Sequence, residues 1–472
     1  MKNTLAELTL ACIVSVTFVF TFTYGNLAEA GDPEGDSRNQ LVQKGGIAMM
    51  SVKDFGAKGD GQADDSAAIQ EAVLKGNGLL FFPRGDYLLT RPMEIKLCDS
   101  GRMGIYGGGA AKLIMAGPGP AIRLSGTHRG TASPNSVKEV VWQMERMPIV
   151  NGLEIVGAHP EADGIELEYT MKALLSDLLI HECRHGVHLI TRNRNTIIST
   201  CHIYHNRGCG IYLDGVNLHQ INIADSHISY NSGGGIKVFN SQIRNLQICG
   251  NDIEYNYDLE AEESADVWID TQEESVREGA IVGNTIQASP SPGGANIRMI
   301  GQSKEVAHKV GLFSISGNLI SSQETNIHLK YTRGVVISGN TFFSGHKHSI
   351  HAEDSSNIVV GPNVFDHNPD YAKDTLDGIV FENCSGCTFS GFHFVDTLAE
   401  AVVRLKDCRE INMTGCQILN PCNIGVLLEN TRNCMVSNCI ILDRREPKIM
   451  QEAIRVVGGA NNQVIDNMTD AE

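Results

Sequence analysis

The middle of the chain repeats one short pattern of apolar and polar residues. Five copies are clear: LQICGNDIEYN at 246–256, GAIVGNTIQAS at 279–289, FSISGNLISSQ at 313–323, VVISGNTFFSG at 335–345 and IVVGPNVFDHN at 358–368. Apolar and polar positions alternate over three to five residues, and a glycine, asparagine or serine then interrupts them. Alternation with a period of two, in segments rich in isoleucine and valine, predicts short β-strands separated by turns.

One asparagine of each copy serves as an anchor for aligning the repeats. The anchors are Asn251, Asn284, Asn318, Asn340 and Asn363, and weaker copies place the equivalent position at Leu178, Cys201, Ser226, Phe392, Cys416 and Cys439. Most successive positions lie 22–25 residues apart, and three intervals are longer. Such a period, without the fixed leucines of a leucine-rich repeat, predicts an all-β right-handed parallel β-helix whose coils stack about 4.8 Å apart. The anchor asparagines would then form a ladder of side-chain amides.

Several of the 13 cysteines fall at equivalent positions of this repeat. The alignment stacks Cys384 on Cys408 and Cys416 on Cys439, and it brings Cys387 near Cys434. Adjacent coils are close enough for disulfides, but the Cβ atoms of one column point in the same direction. We therefore expect free thiols that pack in the core as small apolar side chains.

The N-terminal part of the repeat region carries a recognisable motif. It reads SVKDFGAKGDGQADDSAAIQEAV at 51–73 and continues as LLFFPRGDYLL at 79–89. This motif resembles the start of the pectate-lyase-like β-helix superfamily, which includes polygalacturonase-like, rhamnogalacturonase-like and epimerase-like proteins and some phage tail spikes. The resemblance implies the fold but no single reaction, because the superfamily contains hydrolases, lyases, epimerases and noncatalytic adhesins.

The adjacent Asp64 and Asp65 in this motif invite interpretation as a catalytic pair. The residues that follow them predict a short helix with an apolar face, which would cover the open end of the first coil. Asp64, Asp65 or Ser66 is expected to cap that helix, and the aspartate pair is interpreted as a cap and turn, so residues 51–76 form an N-terminal cap. The RGD tripeptide at 84–86 is expected to be a turn between two strands.

The first thirty residues have the composition of an export signal. Lys2 precedes an apolar run at 8–24, and small residues at Ala28–Ala30 provide a cleavage position. The alternative is an uncleaved membrane anchor, for which a run of this length is short. We predict a signal peptide at 1–30, a linker at 31–50 and a β-helix domain at 51–468. The mature protein would be soluble and secreted, periplasmic or displayed on the cell surface.

The charges along the chain indicate which class of ligand it binds. The chain has a formal net charge of −17 and no basic tract, which argues against nucleic acid. Yet the alignment predicts an outward row with one basic or aromatic residue per coil: His188, Tyr212, Lys237, Trp268, Arg298, His328 and His351. At about 4.8 Å per coil, this row extends about 29 Å. Cations that pair with carboxylates, and rings that stack on sugars, predict an extended acidic polysaccharide as ligand. Three further binding candidates precede the anchors: Arg194, His219 and Arg244.

Candidate catalytic residues concentrate between 181 and 270. A lyase or epimerase that acts on a uronic acid needs a base and a positive group beside the carboxylate. The residues that supply these types are His202, Tyr204, His227, Tyr230 and Lys237, and Glu254 is a further catalytic candidate. A hydrolase could instead use Asp225, Asp252 and Glu254 as paired carboxyls, although the polygalacturonase motifs are missing. A noncatalytic carbohydrate-binding or surface protein is the alternative from another class.

An acidic segment at 252–274 contains ten carboxylates and no lysine or arginine. Calcium prefers several carboxylate oxygens, and Asp252, Asp258 and Asp266 are its candidate ligands. A solvated acidic insertion explains the same composition without a metal. The histidines show no recognised zinc-binding spacing. No cofactor is required by the sequence, and a monomer is expected in preference to a trimer.

Overall fold

The computed structural model describes residues 50–368, 370–371 and 373–470. The predicted signal peptide, and the predicted linker up to residue 49, lie outside these residues. The described chain forms a parallel β-helix of about 16 turns with little helix, which confirms the predicted fold class. Within the described residues, no helix is long and apolar enough to cross a membrane.

Each strand pairs in parallel with its equivalents in the neighbouring coils, and these pairings form three sheets around one apolar core. Four long strands bend from one sheet into the next: Gly104–Met115 and Ile149–Gly157 join the second sheet to the third, whereas Val187–Ser199 and Cys209–Ala224 join the first sheet to the second. The first sheet further contains Met93–Lys96, Gly119–Ser125, Ala162–Glu168, Gly234–Phe239, Ser264–Asp270, Gly294–Ile300, Thr325–Lys330, His348–Glu353, Gly378–Glu382, Ala401–Lys406, Ile424–Glu429 and Glu452–Val457.

The other two sheets consist mostly of shorter strands. The second sheet further contains Met50–Ser51, Leu79–Phe81, Leu174–Ser176, Gln242–Cys249, Val276–Val282, Val310–Ser316, Thr332–Ser338, Ser356–Val360, Thr388–Ser390, Asn412–Thr414, Met435–Ser437 and Gln463–Ile465. The third sheet further contains Asp60–Asp64, Gly85–Leu89, Leu179–His181, His202–Tyr204, His227–Ser229, Asp252–Glu254, Thr285–Gln287, Leu319–Ser321, Thr341–Phe343, Val364–Asp366, His393–Val395, Gln417–Leu419, Ile440–Leu442 and Met468–Thr469. Each coil therefore contributes strands to the first, second and third sheets in that order.

Helices lie only at turns and at the N-terminal end of the described residues. They are the α-helices Ser66–Lys75 and Leu97–Ser100, the 3₁₀ turns Val52–Phe55, Pro134–Ser136 and Ala307–Lys309, and a π-helical turn at Val141–Glu145. The predicted capping helix is Ser66–Lys75, which buries Ile69, Ala72 and Val73. Arg84 lies in the turn between the strands Leu79–Phe81 and Gly85–Leu89, but the second strand already begins at Gly85, so the predicted turn holds for only the first residue of the RGD tripeptide.

The aspartate pair holds the turn before this helix, although not in the way that was predicted. Asp65 is the N-cap residue, but its side chain makes no capping bond. It accepts instead from the backbone N–H groups of Lys58 and Gly59, at 2.6 and 2.9 Å. Asp64 accepts from the Ser66 N–H at 3.0 Å and from the Thr90 hydroxyl at 2.7 Å. Both carboxylates are therefore occupied by the fold of the N-terminal cap.

The predicted amide ladder is present. The backbone N–H and the side-chain amide of Asn284 both donate to Oδ1 of Asn318, each at 2.9 Å. The same pair of bonds joins Asn251 to Asn284, Asn318 to Asn340, and Asn340 to Asn363. The second hydrogen of each amide reaches a backbone carbonyl of the preceding coil. Each buried amide therefore bonds the coils on both sides, which fixes the register of the stack.

A second buried ladder, which the sequence analysis did not identify, runs between the third and first sheets. Asn206, Asn231 and Asn256 bond in series, and Asn256 then donates to Oδ1 of Asp266 at 3.0 Å. Asp266 is buried, and burial raises its pKa to about 8. Asn296 donates to the other carboxyl oxygen, while its own Oδ1 has no hydrogen-bond partner in the described part of the chain. A half-turn of the Asn296 amide would let a protonated Asp266 donate to that oxygen.

We expect the stability of the protein to fall as the pH rises because of Asp266. An unfolded aspartate titrates near pH 3.9, so between about pH 4 and pH 8 the folded state holds a proton that the unfolded state has lost. This stabilisation is complete below the unfolded pKa and is lost towards pH 8. Asp266→Asn should remove the dependence and raise the free energy of unfolding at pH 8 by about 2 kcal/mol or more.

The measurement is chemical denaturation of both proteins between pH 5 and pH 9. Asp258→Asn is the matched control, since Asp258 is a less buried acid of the same insertion. If Asp266→Asn is the less stable protein at pH 8, then the buried acid is not protonated in the folded state.

The twelve cysteines among the described residues are free thiols, and most are buried. Cys384 contacts Cys408, and Cys416 contacts Cys439, as the alignment predicted. Burial raises the pKa of Cys387 to about 12, so this thiol is unreactive at neutral pH. The expectation of core thiols is confirmed for this part of the chain.

Candidate functional site

The predicted outward row is continuous on the first sheet. His188 pairs with Tyr212, Tyr212 with Lys237, Lys237 with Trp268, Trp268 with Arg298, Arg298 with His328, and His328 with His351. The register holds across the two long intervals that fall within the row, so the predicted alignment of these residues is confirmed, whereas their role in binding stays a prediction. We call these seven residues the first-sheet row. The same column extends upstream through Glu166, Arg123 and Glu94.

Carboxylates surround the histidine at the upstream end of this row. Nδ1 of His188 lies 3.7 Å from Asp163, and its Nε2 lies 3.4 Å from Oδ2 of Asp214. Asp163 is buried and also accepts two hydrogen bonds from Arg184. Burial favours the neutral acid, but Arg184 and His188 hold the pKa of Asp163 far below its usual range. Burial likewise opposes charge on His188, yet Asp163 and then Asp214 raise its pKa.

Two more rings complete this cluster. His185 lies 4.9 Å from the ring of Tyr212 and 5.2 Å from that of His188, between ring centroids. Burial lowers the pKa of His185 to about 4, so its imidazole is neutral at pH 7. Its Nδ1 accepts the backbone N–H of Cys209 at 3.1 Å, which leaves the hydrogen on Nε2. Burial, and then the Asp214 carboxylate, raise the pKa of Tyr212 well above its usual value.

Lys237 is the distinctive cation of the row. Its Nζ lies 3.9 Å from the centroid of the Trp268 ring, and Arg298 lies 5.4 Å from the same centroid. Arg298 is buried and pairs with Glu263 at 2.7 Å. In the described part of the chain, by contrast, no carboxylate lies within ion-pair distance of Lys237. The tryptophan therefore holds an unneutralised positive charge in place.

One expectation about the aromatic residues is wrong. The rings were expected to offer their faces to sugars, but they stack on their neighbours along the coil axis. The Tyr212 and His188 rings are 5.3 Å apart and within 6° of parallel. The Trp268 ring contacts the cationic groups of Lys237 and Arg298. A ladder spacing near 4.8 Å is too small to admit a sugar between rings. A ligand on this row would meet ring edges, hydroxyls and the ammonium group.

The downstream end of the row contains a second group of histidines. The rings of His328 and His351 stack with their centroids 5.3 Å apart, and Nε2 of His328 lies 2.9 Å from Glu353. The ring of His348 lies 5.0 Å from that of His351. Burial lowers the pKa of His351 and takes that of His348 to about 4. These two imidazoles are therefore neutral at pH 7.

The remaining predicted catalytic residues lie mainly on the third sheet. His202 and His227 stack with their centroids 4.9 Å apart, and Nδ1 of His227 is 3.2 Å from Asp252. Burial, and then the adjacent Asp252 carboxylate, raise the pKa of Glu254. A shallow depression of about 630 Å³ is lined by Asp225, His227, Asp252 and Glu254, among others. Its three carboxylates give it a negative character.

The predicted catalytic set is thus divided between two sheets. Lys237 lies on the first sheet, whereas His202, Tyr204, His227 and Glu254 lie on strands of the third sheet. Tyr230 stacks between His205 and Tyr255 at the turn that connects these two sheets. Within the described residues, no hydrogen bond, ion pair or ring contact joins Lys237 to the histidines of the third sheet.

The candidates on the second sheet also form a register column, but its arginines already have partners. Arg194 pairs with His219, and His219 with Arg244. The Arg194 guanidinium donates to the carbonyl groups of Thr131, Ala132 and Ser133. Arg244 donates to the backbone carbonyl and hydroxyl oxygens of Ser275. These two guanidinium groups hold connecting loops against the coil.

The three candidate calcium ligands do not converge. Asp252 pairs with His227 on the third sheet, Asp258 accepts from the backbone of Glu260 in the insertion, and Asp266 lies inside the core. Among the described residues, the groups whose geometry could hold a metal are Asp163, Glu166 and His188 at one end of the row, and His328, His351 and Glu353 at the other.

The cluster around Asp163 was missed by the sequence analysis because it precedes the first recognised anchor. Extending the outward row to the preceding coil would have identified Glu166. In the following coil, Tyr212 pairs with His188, and Asp214 stands two residues later on the same face of the strand. Nothing in the sequence pairs Asp163 with Arg184, because that contact depends on the shape of a turn.

Three family descriptions match different parts of the chain. The right-handed β-helix region matches residues 140–286, and the pectate-lyase-like family named rhamnogalacturonase A/epimerase matches residues 49–99. The family of the periplasmic copper-binding protein NosD matches residues 278–469. Together these matches indicate the right-handed parallel β-helix superfamily, and they are consistent with the pectate-lyase-like fold.

Similarity to curated proteins is confined to short segments. A stretch of 58 residues is 45% identical to the non-secreted LysM effector LysM19 of Penicillium expansum and covers 10% of this chain and 5% of that protein. A stretch of 73 residues is 36% identical to the mannuronan C5-epimerase AlgE3 of Azotobacter vinelandii and covers 14% of this chain and 4% of the relative. The chain therefore matches only a small part of the length of these relatives.

Solved structures also match the chain, at low sequence identity. Tailspike protein 3 of bacteriophage CBA120 is 12% identical, with a TM-score of 0.46, over 91% of this chain and 62% of its own. The catalytic unit of an α-1,3-glucanase of family GH87 from Streptomyces thermodiastaticus is 13% identical, with a TM-score of 0.44, over 91% and 71%.

Proposed function

We propose that this pectate-lyase-like β-helix protein binds an acidic polysaccharide along the first-sheet row and acts on it as a lyase or an epimerase. The observation that carries the proposal is the Lys237 ammonium group, which lies on the Trp268 ring beside Tyr212 and has no carboxylate partner among the described residues. On a chain of net charge −17, an unpaired cation held at a fixed position suits the carboxylate of a uronic acid.

The chemistry that we propose begins with pairing of the substrate carboxylate with Lys237. The Tyr212 oxygen takes the proton from the carbon next to the carboxylate, while its own hydroxyl proton passes to Asp214. Lys237 and His188 stabilise the negative charge that develops on the substrate. In a lyase reaction, the bond from the sugar ring to the glycosidic oxygen of the neighbouring sugar then breaks, and that oxygen takes the proton held by Asp214. In an epimerisation, a water molecule instead returns a proton to the opposite face of the carbon, and Asp214 gives its proton to the hydroxide that remains. His185 donates its Nε2 hydrogen to the bound sugar.

The depression on the third sheet supports a second candidate function, hydrolysis of a neutral glycan. Glu254, whose pKa is raised, would be the acid and Asp252 the second carboxyl group. The two carboxyl groups are within hydrogen-bonding reach of each other. Retaining and inverting glycosidases separate them by about 5 Å or more, which favours the first proposal.

The test is incubation of the purified chain with pectin, rhamnogalacturonan, alginate and neutral glycans. Ultraviolet absorbance of an unsaturated sugar product would identify a lyase, and a changed ratio of uronate epimers would identify an epimerase. New reducing ends without either change would establish the hydrolase. Binding without any product would establish the noncatalytic alternative.

Glu254→Gln distinguishes the two candidate sites. We expect this variant to retain the activity on acidic polysaccharide, because Glu254 lies on the third sheet, away from the first-sheet row. Tyr212→Phe should abolish that activity while leaving binding within about threefold, since it removes only the hydroxyl group. The opposite pattern, in which Glu254→Gln is inactive and Tyr212→Phe is active, would reject the first-sheet site.

We further propose that residues 1–30 direct export, so that the protein meets its polysaccharide in the periplasm or outside the cell.

A further inference from the structure

The downstream end of the first-sheet row contains a group of side chains that can bind a metal ion. His328, His351 and Glu353 each offer one ligand atom, and these atoms all lie within 4.8 Å of one another. The three residues come from two neighbouring strands, Thr325–Lys330 and His348–Glu353, whose register is fixed by the ladder. All three side chains are partly exposed, so an ion could enter from solvent.

We propose that His328, His351 and Glu353 bind a divalent transition-metal ion such as Zn²⁺. Two imidazoles and a carboxylate are a donor set that zinc prefers, whereas calcium and magnesium prefer oxygen ligands alone. Zinc holds such ligands at about 2.0–2.2 Å, so the donor atoms need to approach one another by roughly an ångström. Side-chain rotation supplies this movement, because the strands themselves are already adjacent.

Neighbouring residues would complete and orient the site. Oε2 of Glu382, on the next coil, lies 3.8 Å from Nε2 of His351 and is a candidate fourth ligand. Lys330 donates to Oε2 of Glu353 at 3.3 Å, and Lys406 donates to Oε1 of Glu382 at 3.4 Å. Each lysine thus holds one oxygen of a carboxylate, while the other oxygen faces a histidine of the cluster, as supporting contacts of metal ligands do.

The similar group at the upstream end is a poorer site. Asp163 already accepts two bonds from Arg184, and Glu166 accepts from Arg123 at 2.6 Å. Arg184 occupies both oxygens of Asp163, so a cation would have to displace it, whereas each lysine of the downstream group holds only one carboxylate oxygen. This difference assigns the metal to the downstream histidines.

Isothermal titration of the tag-free, chelator-treated chain with zinc chloride tests the proposal. We expect one zinc ion per chain, with binding weakened at least tenfold in His351→Ala and in Glu353→Gln. His308→Ala is the matched control, since His308 is an exposed histidine outside the cluster, and His188→Ala reports on the upstream group. Both should bind zinc as the unchanged protein does.

Cobalt provides a second readout. Co²⁺ bound to imidazole and carboxylate in a tetrahedral site gives visible absorption, which should disappear in His351→Ala. Circular dichroism of each variant without metal verifies that it is folded, and Glu353→Gln serves if His351→Ala is not. The proposal is overturned if the chain binds no zinc, if both cluster variants bind it normally, or if His188→Ala alone removes binding.

Discussion

Replacing Asn318 with alanine is expected to lower the free energy of unfolding by about 3–5 kcal/mol, the largest effect we expect from any single substitution of an uncharged residue in this chain. The Asn318 side chain accepts two bonds from Asn284, and it donates to the Ile281 carbonyl and to Asn340. Its removal leaves buried polar groups on two coils without partners. Each such group costs about 1–3 kcal/mol.

Denaturant unfolding followed by circular dichroism measures this effect. Asn222→Ala is the control, because Asn222 is an exposed asparagine on the outer face of the strand Cys209–Ala224. That variant should stay within about 0.5 kcal/mol of the parent. If Asn318→Ala costs less than 1 kcal/mol, the ladder is not a principal source of stability.

The second large effect concerns binding. Lys237→Ala is expected to weaken the affinity for acidic polysaccharide by about 10- to 100-fold, the equivalent of one charge-assisted hydrogen bond. Trp268→Ala should have a similar effect because it removes the ring on which the ammonium group lies. The affinity of the unchanged protein should fall as salt is added, and that of Lys237→Ala should depend on salt less steeply.

Affinity electrophoresis in gels that contain pectin or alginate measures these changes, with a neutral glycan as reference. Arg404→Ala is the matched control, because Arg404 lies in the same column downstream of His351 and is paired with Glu429. It should bind as the parent does. Equal affinities of Lys237→Ala and the parent would show that the ligand does not use the first-sheet row.

Much of the architecture could be predicted because the repeat carries two independent markers. Alternation of isoleucine and polar residues identifies strands, and the anchor asparagine fixes where each coil begins. Trp268 and Arg298 were therefore placed in register although long insertions precede both. The insertions lie in turns outside the anchored strands, so their length does not change the alignment.

The candidate site was harder to predict for a geometric reason. Positions relative to an anchor show which strand holds a side chain, but they do not give the angle between sheets at a turn. The sequence therefore predicts Lys237 and His227 in one catalytic group, whereas the two residues lie on different sheets. The same limit explains why the stacked rings of His188 and Tyr212 were expected to be open to sugars.

The amide ladder has a consequence for how such a protein changes in evolution. Asn318 and Asn340 are 22 residues apart and have equivalent partners. Deletion of one such unit would bring Asn284 against Asn340, with the same hydrogen bonds, and would place His351 beside Arg298. Duplication would lengthen the molecule in the same way. A gene for this fold can therefore gain or lose whole coils, which changes the length of the protein's outer surface, while the core keeps the same contacts between coils.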